Sequence, residues 1–294
     1  MGINVVETVK ESITRLFTDR GLLAIAIIES IVLIAISMLY SSGPISNITG
    51  SLAAPSPDAR LIASGIAQLV VLVLVTLLVQ AFFTFAILTK SFYGKNMGIN
   101  EAFNAAINRY PSGILAGIVI GLALFVPYIV IILLTVISPV LFLLMIPYIA
   151  YVAYAGIMLS LAFPYAVIGK RGAIDSLRSS WSAIKGNWWP IFGAYLLLAI
   201  AYFIVSSIIQ IPVYAQIAPA YISAFTNATH TAAQSQSLTS VATRAANSPI
   251  GMVTGFIAQV LGAWLVILFA LIYAQMSSQK EQPKQAKQQR KTPR

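Results

Sequence analysis

The chain has 294 residues, of which 59% are hydrophobic and 9% are charged, and its mean hydropathy is +0.86. A soluble domain carries about a quarter charged residues, so this composition excludes a soluble globular protein and predicts that the lipid bilayer is its solvent. The net charge of +10 comes from 18 basic against 8 acidic side chains, and the lack of cysteine excludes disulfides and thiolate metal sites.

The distribution of the basic residues predicts the topology. Sixteen of them lie in four short segments that alternate with six apolar stretches, and only Arg60 and Arg244 lie in the other two connections. Because basic connections stay in the cytoplasm, both termini are expected there, and the two polar connections outside. We therefore predict an all-α, polytopic protein of the cell membrane with one membrane domain, residues 1–276. Its six spans are expected at about residues 21–40, 64–89, 113–137, 140–168, 189–211 and 250–273.

Each pair of spans follows an amphipathic segment. Residues 5–17, 99–110 and 174–184 place apolar side chains at helical spacing with polar side chains between them. This pattern predicts three cytoplasmic interfacial helices, each leading into a hairpin of two spans. A threefold repeat packed about an axis along the membrane normal would produce this order, and so would any chain of inside-anchored hairpins.

The connections differ in length and composition. The absence of charge between Arg109 and Lys170 predicts two spans joined by a tight outer turn at Ser138 and Pro139. The fifth span is expected to end near Pro212, before a polar outer segment. The segment 277–294 is rich in Lys and Arg, and this composition predicts a disordered cytoplasmic tail.

Two glycosylation sequons support the predicted sidedness. Asn47-Ile48-Thr49 and Asn227-Ala228-Thr229 fall in the two connections that the basic residues place outside. Asn47 and Asn227 are therefore candidate glycosylation sites.

Polar residues inside the spans are the candidate functional residues. Glu29 lies near the middle of the first span, where an ionisable side chain costs about 2.5 to 3.5 kcal/mol unless it is paired, hydrated or protonated. It predicts either a proton- or cation-coupled site or a neutral carboxyl bonded to a neighbouring helix. Four glutamines could continue a polar path from it or bond one helix to another. They are Gln68, Gln80, Gln210 and Gln259.

Glycines at a spacing of four predict close helix contacts in the third and sixth spans. They are Gly113, Gly117, Gly121, Gly251 and Gly255. The eight acids and single histidine are too dispersed to form a catalytic or metal site, so we predict no enzymatic activity, no cofactor and no bound metal.

One segment resembles a known membrane domain. The residues from Ile174 to Trp181, followed by Lys185-Gly186-Asn187-Trp188, resemble the multi-pass domain attached to some glycerophosphodiester phosphodiesterases. The catalytic barrel of that family has no counterpart here, so the resemblance implies no phosphodiesterase activity.

The overall layout resembles a second group. Cysteine-free spans rich in Ile, Val and Tyr, with charge-poor connections and paired sequons, resemble an archaeal cell-membrane protein. The layout is similar to the channel component of the archaeal DNA-import system. That resemblance implies a channel-forming subunit for DNA, acting with small membrane proteins and a separate motor ATPase, since this chain has no Walker-type loop.

A DNA conduit would need several copies or partners, because the spans of one copy contain few polar side chains. The resemblance therefore also implies a homo- or hetero-oligomer. Two alternatives stay open. One is a self-contained ion- or proton-coupled channel or transporter for a small solute, and the other is a membrane-organising or lipid-contacting protein without transport activity.

Overall fold

The computed structural model describes residues 4–44, 48, 50–51, 58–226, 241, 244–245 and 247–289. Throughout these residues the regular structure is helical, and no strand occurs among them. Six helices are long and apolar enough to cross a membrane, which confirms the predicted number of spans. They are Arg20–Leu39, Ala59–Asn96, Ile99–Ile137, Val140–Val167, Trp188–Ser223 and Pro249–Ser278.

The helices of the described residues are labelled here in chain order. They are α1 (Val5–Thr18), α2 (Arg20–Ser42), α3 (Ala59–Tyr93), α4 (Ile99–Ile137), α5 (Met145–Leu159), α6 (Ala162–Val167), α7 (Ala173–Ile184), α8 (Trp188–Thr226) and α9 (Pro249–Gln289). Two 3₁₀ helices, Gly94–Asn96 and Pro139–Leu144, follow α3 and α4.

The chain divides into two compact units with different charge. Unit 1 comprises Met1–Leu23, Ala81–Leu198 and Trp264–Arg294, and unit 2 comprises Ala24–Gln80 and Ala199–Ala263. Sixteen of the 18 basic residues belong to unit 1. The charged residues of unit 2 are Glu29, Asp58, Arg60 and Arg244.

The three segments predicted as interfacial helices have different structures. The first and third form the separate helices α1 and α7. Residues 99–110 instead form the first turns of α4, which continues through Pro111 to Ile137. A separate helix ending at residue 110 is therefore absent. A continuous helix bonds nearly all of its backbone groups internally, and Pro111 removes only the bond to the carbonyl of Ile107.

Two helices continue beyond their predicted ends. α8 runs through Pro212 and Pro219 to Thr226, so the expected end near Pro212 is wrong. A helix that stopped there would leave several carbonyls without partners, whereas each proline removes one hydrogen bond. α9 remains helical to Gln289, inside the segment predicted as a disordered tail. Gln, Lys and Ala favour helix, and extending an existing helix needs no new nucleus. Residues 290–294, Asn47 and Asn227 lie outside the described residues.

The turn predicted at Ser138 and Pro139 is confirmed, since α4 ends at Ile137 and the next helical segment begins at Pro139. α4 and α5 pack together across it. Pro127 has no N–H and therefore leaves the Ala123 carbonyl without its helical donor. The Tyr151 hydroxyl of α5 donates to that carbonyl at 3.0 Å. The hairpin thus supplies the bond that the proline removes.

The fourth span is broken between α5 and α6 in unit 1, and side chains from α7 and α8 bridge the break. The Ser180 hydroxyl donates to the Met158 carbonyl at 2.8 Å and accepts from the Leu161 N–H at 3.2 Å. The Tyr195 hydroxyl donates to Ser160 Oγ at 2.6 Å. The two Ser180 bonds satisfy backbone groups that would otherwise be orphaned at the helix ends, and the Tyr195 bond ties α8 to the same break.

Candidate solute cavity in unit 2

Unit 2 contains a cavity of about 330 Å³. Side chains of α2, α8 and the start of α9 surround it, and they are mainly apolar with three uncharged polar groups. The lining residues are Ile34, Ser37, Met38, Gln210, Val213, Asn247, Gly251, Met252 and Gly255. No charged residue is among these described lining residues, so they offer hydrogen bonds without a fixed charge.

The first turn of α9 is held in place by a hydroxyl cap. Ser248 Oγ accepts from the Gly251 N–H at 3.1 Å and donates to the Ala245 carbonyl at 2.7 Å. This arrangement satisfies one of the donors left unpaired at a helix N-terminus. Gly251, whose N–H is capped, and Asn247, next to Ser248 in the chain, both line the cavity.

Gly255 leaves part of the cavity empty. A Cβ atom added to Gly255 would meet no heavy atom within 4 Å, apart from its own helix backbone. Among the described residues, no side chain of another helix therefore packs closely on Gly255. An apolar side chain here would occupy the volume instead, which makes Gly255 a suitable position for closing the cavity.

The other predicted packing glycines differ from one another. In unit 1, a Cβ on Gly113 would lie 2.3 Å from Phe85 Cζ on α3, so a larger residue fits there only if Phe85 moves. A Cβ on Gly117 would be in ordinary contact with Phe163 at 3.5 Å, and one on Gly121 would meet nothing within 4 Å. In the part of the chain that the structure describes, no neighbouring helix packs closely on Gly121.

Glu29 is buried, with 6% of its surface exposed, but it does not line the cavity. It shares the buried face of α2 with Ala26 and Ser30, and the Ser30 hydroxyl donates to the Ala26 carbonyl at 2.7 Å. Within the described part of the chain, no hydrogen bond or ion pair to the Glu29 carboxyl is formed. Ile34, on the cavity wall, is five residues further along α2, about 7.5 Å along the helix axis.

The structure brings only part of the predicted polar path together. Gln210 lines the cavity beside Ser37 and Asn247, and Gln259 is half-buried on α9, one turn beyond Gly255. Gln68 and Gln80 are both exposed on α3, so they do not line the cavity.

Sequence reasoning missed two of the three polar groups in the cavity. Ser37 lies seven residues after Ser30, a spacing that places both hydroxyls on one side of α2 and could have identified it. Asn247 follows a connection already rich in Asn, Ser and Thr, so its composition offers no signal.

Among the described residues, no group of three His, Cys, Asp or Glu side chains is placed to hold a metal ion. No family model matches the chain, and neither a curated protein nor a solved structure is detectably similar to it. Function therefore has to be inferred from the cavity, the buried carboxyl and the charge distribution.

Proposed function

We propose that this protein is a multi-pass channel or transporter of the cell membrane that binds a small, uncharged polar solute in the cavity of unit 2. The cavity itself supports this proposal most directly. Its volume of about 330 Å³ falls at the lower end of the range for small-molecule sites, about 300 to 1,000 Å³. Its lining of apolar side chains with a few convergent polar groups is also typical of such sites.

The three polar groups favour an uncharged ligand. The amides of Gln210 and Asn247 each offer donors and an acceptor, and the Ser37 hydroxyl already donates to the Ile34 carbonyl at 2.8 Å, which leaves its oxygen as an acceptor. A solute with hydroxyl or amide groups would complement this set. An ion would lose its hydration without gaining a charged partner from the lining.

Closing the cavity tests the proposal. We expect Gly255→Leu to fill the cavity and lower solute uptake by at least tenfold in proteoliposomes supplied with glycerol, urea or a small sugar. Gly121→Leu is the matched control, because Gly121 also lies in a span and also faces open space. Equal uptake by both variants would contradict the proposal, provided that both elute as single species in detergent.

Glu29 is the residue through which we propose that uptake is coupled to protons. A carboxyl buried in a span without a described partner can take up and release a proton as its surroundings change. We expect Glu29→Gln to retain uptake down a solute gradient and to lose its response to an imposed pH gradient. Coupling that persists in this variant would remove Glu29 from the mechanism.

The proposed topology places both termini, α1 and α7 in the cytoplasm and the two polar connections outside, with the spans arranged as three hairpins. The charge distribution supports it. Because the chain has no cysteine, single cysteines report accessibility without background. In intact cells, an impermeant maleimide should label Ser223→Cys, near the end of α8, and should label Ser182→Cys only after lysis. Labelling of Ser182→Cys before lysis would show that the orientation is the opposite of the one proposed.

A second proposal is the DNA-import subunit that the layout resembles. The apolar windows of α4 and of the fourth span are only 6% and 11% buried, which leaves wide faces for lipid or for partner helices. A cavity of about 330 Å³ cannot hold a DNA strand, so a conduit would have to form between copies or with partners. Affinity purification in mild detergent should then recover a motor ATPase and small membrane proteins. A monomer without partners in native-like lipid would contradict this second proposal.

A further inference from the structure

Unit 1 contains a cavity of its own, of about 270 Å³, with charged walls. It lies where α1 turns into α2 and where α3 ends. Its polar lining residues are Arg15, Thr18, Asp19, Ser91 and Lys95. None of these residues lines the proposed solute cavity, so the two sites are distinct.

Contacts with α1 and α3 hold the Arg15 guanidinium in position, and two of its N–H groups remain available for a ligand. Its Nε and Nη2 lie 2.9 and 2.6 Å from Glu11 Oε1, and its Nη1 donates to the Ser91 carbonyl at 2.9 Å. A guanidinium has five N–H groups, so two remain for a ligand. The contacts with α1 and α3 orient the planar group before any ligand arrives, and a guanidinium matches the geometry of phosphate oxygens.

Lys90 forms an ion pair with Asp19, the acidic side chain that lines the cavity. It is 4% exposed, and its ammonium lies 3.4 Å from Asp19 Oδ2. Asp19 Oδ1 accepts from the Gly21 N–H at 2.9 Å. Asp19 is therefore engaged on both oxygens, and its charge is balanced by a buried partner instead of by the two cations of the cavity wall.

Lys90 also builds the turn that carries Lys95. Its ammonium donates to the carbonyls of Gly94 and Met97 at 3.0 and 2.6 Å. Gly94 has φ +64, a backbone conformation that favours glycine. Lys95 is exposed, and no ion pair or side-chain hydrogen bond to it is formed among the described residues. The cavity therefore presents a pre-oriented Arg15 and an uncommitted Lys95.

The position of the cavity selects the source of the ligand. The first candidate span begins at Arg20 and the second ends at Asn96, so the ends of two apolar spans meet at the cavity, and we expect lipid headgroups at this level. Phe17, next to Thr18, is 56% exposed and offers an apolar surface beside the charged cavity. A lipid could place its phosphate in the cavity and an acyl chain along this surface, which a free anion could not do.

We propose that this cavity binds the phosphate of an anionic phospholipid, held between Arg15 and Lys95. Removing one basic charge near a membrane surface lowers binding of anionic lipid roughly fivefold. We therefore expect Lys95→Gln to reduce retention of the lipid by about that factor. Arg15 is not used in the test, because its contacts with Glu11 and Ser91 also support the fold.

The test uses the full chain in nanodiscs of phosphatidylglycerol and phosphatidylcholine in equal parts, with native mass spectrometry to count retained lipids. Wild type should retain phosphatidylglycerol selectively. Lys10→Gln is the control, since Lys10 is exposed on α1 and does not line the cavity, and it should retain the lipid as wild type does. Equal retention by Lys95→Gln and Lys10→Gln would overturn the proposal. Release of the lipid from wild type by millimolar inorganic phosphate would also overturn it and assign the cavity to a free anion.

Discussion

The two units of this membrane protein are held together in different ways. In unit 1, side chains bond between separate elements, as in the 2.9 Å contacts of Arg15 with the Ser91 carbonyl and of Gln275 with Thr8. In unit 2, hydroxyls such as those of Ser37 and Thr254 donate to carbonyls of their own helix. Among the described residues, unit 1 therefore has several polar ties between separate elements, whereas in unit 2 the Tyr202 hydroxyl of α8 reaches the Ala258 carbonyl of α9 only at 3.5 Å.

This difference has a physical reason. In a bilayer, apolar side chains gain little by leaving lipid for a neighbouring helix, so close packing and hydrogen bonds determine where helices sit. The unit with many polar ties can hold fixed charged groups such as Arg15 and Lys90. The described lining of the cavity in unit 2 is uncharged, and substitutions there should alter binding more than stability.

The largest expected effect is at the tightest glycine of unit 1. Gly113→Ala places a Cβ 2.3 Å from Phe85 Cζ, and Phe85 is fixed by ring contacts with Tyr110 and Phe163. We expect a loss of about 3 kcal/mol in the free energy of unfolding, the upper end for overpacking. Gly255→Ala, in unit 2, should instead be neutral or gain about 0.5 to 1 kcal/mol. Unfolding by sodium dodecyl sulfate in mixed micelles measures both, and similar losses would remove the contrast between the units.

The second largest effect is expected at the Asp19–Lys90 ion pair of unit 1. Asp19→Asn removes the charge opposite Lys90 and keeps an equally good cap for the N–H of Gly21, so it isolates the pair. We expect a loss of about 2 kcal/mol, because Lys90 keeps two carbonyl acceptors. Asp19→Ala should lose about 1 kcal/mol more through the cap. If the two variants unfold alike, the cap contributes nothing.

Ser180 offers a sharper test of the polar ties. Ser180→Ala leaves the Leu161 N–H and the Met158 carbonyl without their bridge and should cost about 1 to 2 kcal/mol. Ser182→Ala is the control in the same helix, since Ser182 is exposed and donates only to the Ser179 carbonyl. Its expected cost is below about 0.5 kcal/mol. The same unfolding assay should separate the variants, and equal stability would argue that the break needs no bridge.

The smallest effect concerns Pro127 of α4. Tyr151→Phe removes the donor to the Ala123 carbonyl and should cost about 0.6 kcal/mol, the average for such bonds between spans. In a Pro127→Ala background the helix supplies its own N–H to that carbonyl, so the same change should cost less. A double-mutant cycle on thermal unfolding measures the coupling. Additive effects would show that Tyr151 does not compensate for the proline.

Much of the fold is readable from the sequence because the bilayer demands long apolar helices. The six spans and the turn at Ser138 follow directly from that requirement. The end of α8 does not, because a proline marks a helix end in water, whereas in a bilayer the helix can continue through Pro212. Residues 99–110 have an interfacial pattern and Pro111 follows them as a local stop signal, yet they join α4, because continuing the helix costs only the one bond that Pro111 removes.

The candidate site was less predictable. Glu29 is identifiable because an acid in a span is rare, but the sequence does not reveal that it lies off the cavity wall. Gln210 proved to line the cavity, whereas Gln68 and Gln80 are exposed on α3. The four glutamines look alike in sequence, and only the rotation of each helix about its axis decides which one lines the cavity.

Composition and the order of charges, taken alone, determined that this chain is an all-helical membrane protein with six spans, since hydropathy and span length depend on local sequence only. Tertiary structure decided which glycine is closely packed against a neighbouring side chain and which borders open space. Gly113 and Gly255 belong to similar sequence patterns, but one faces Phe85 and the other faces a cavity. Such differences depend on side chains distant in sequence, and those meet only after the helices pack.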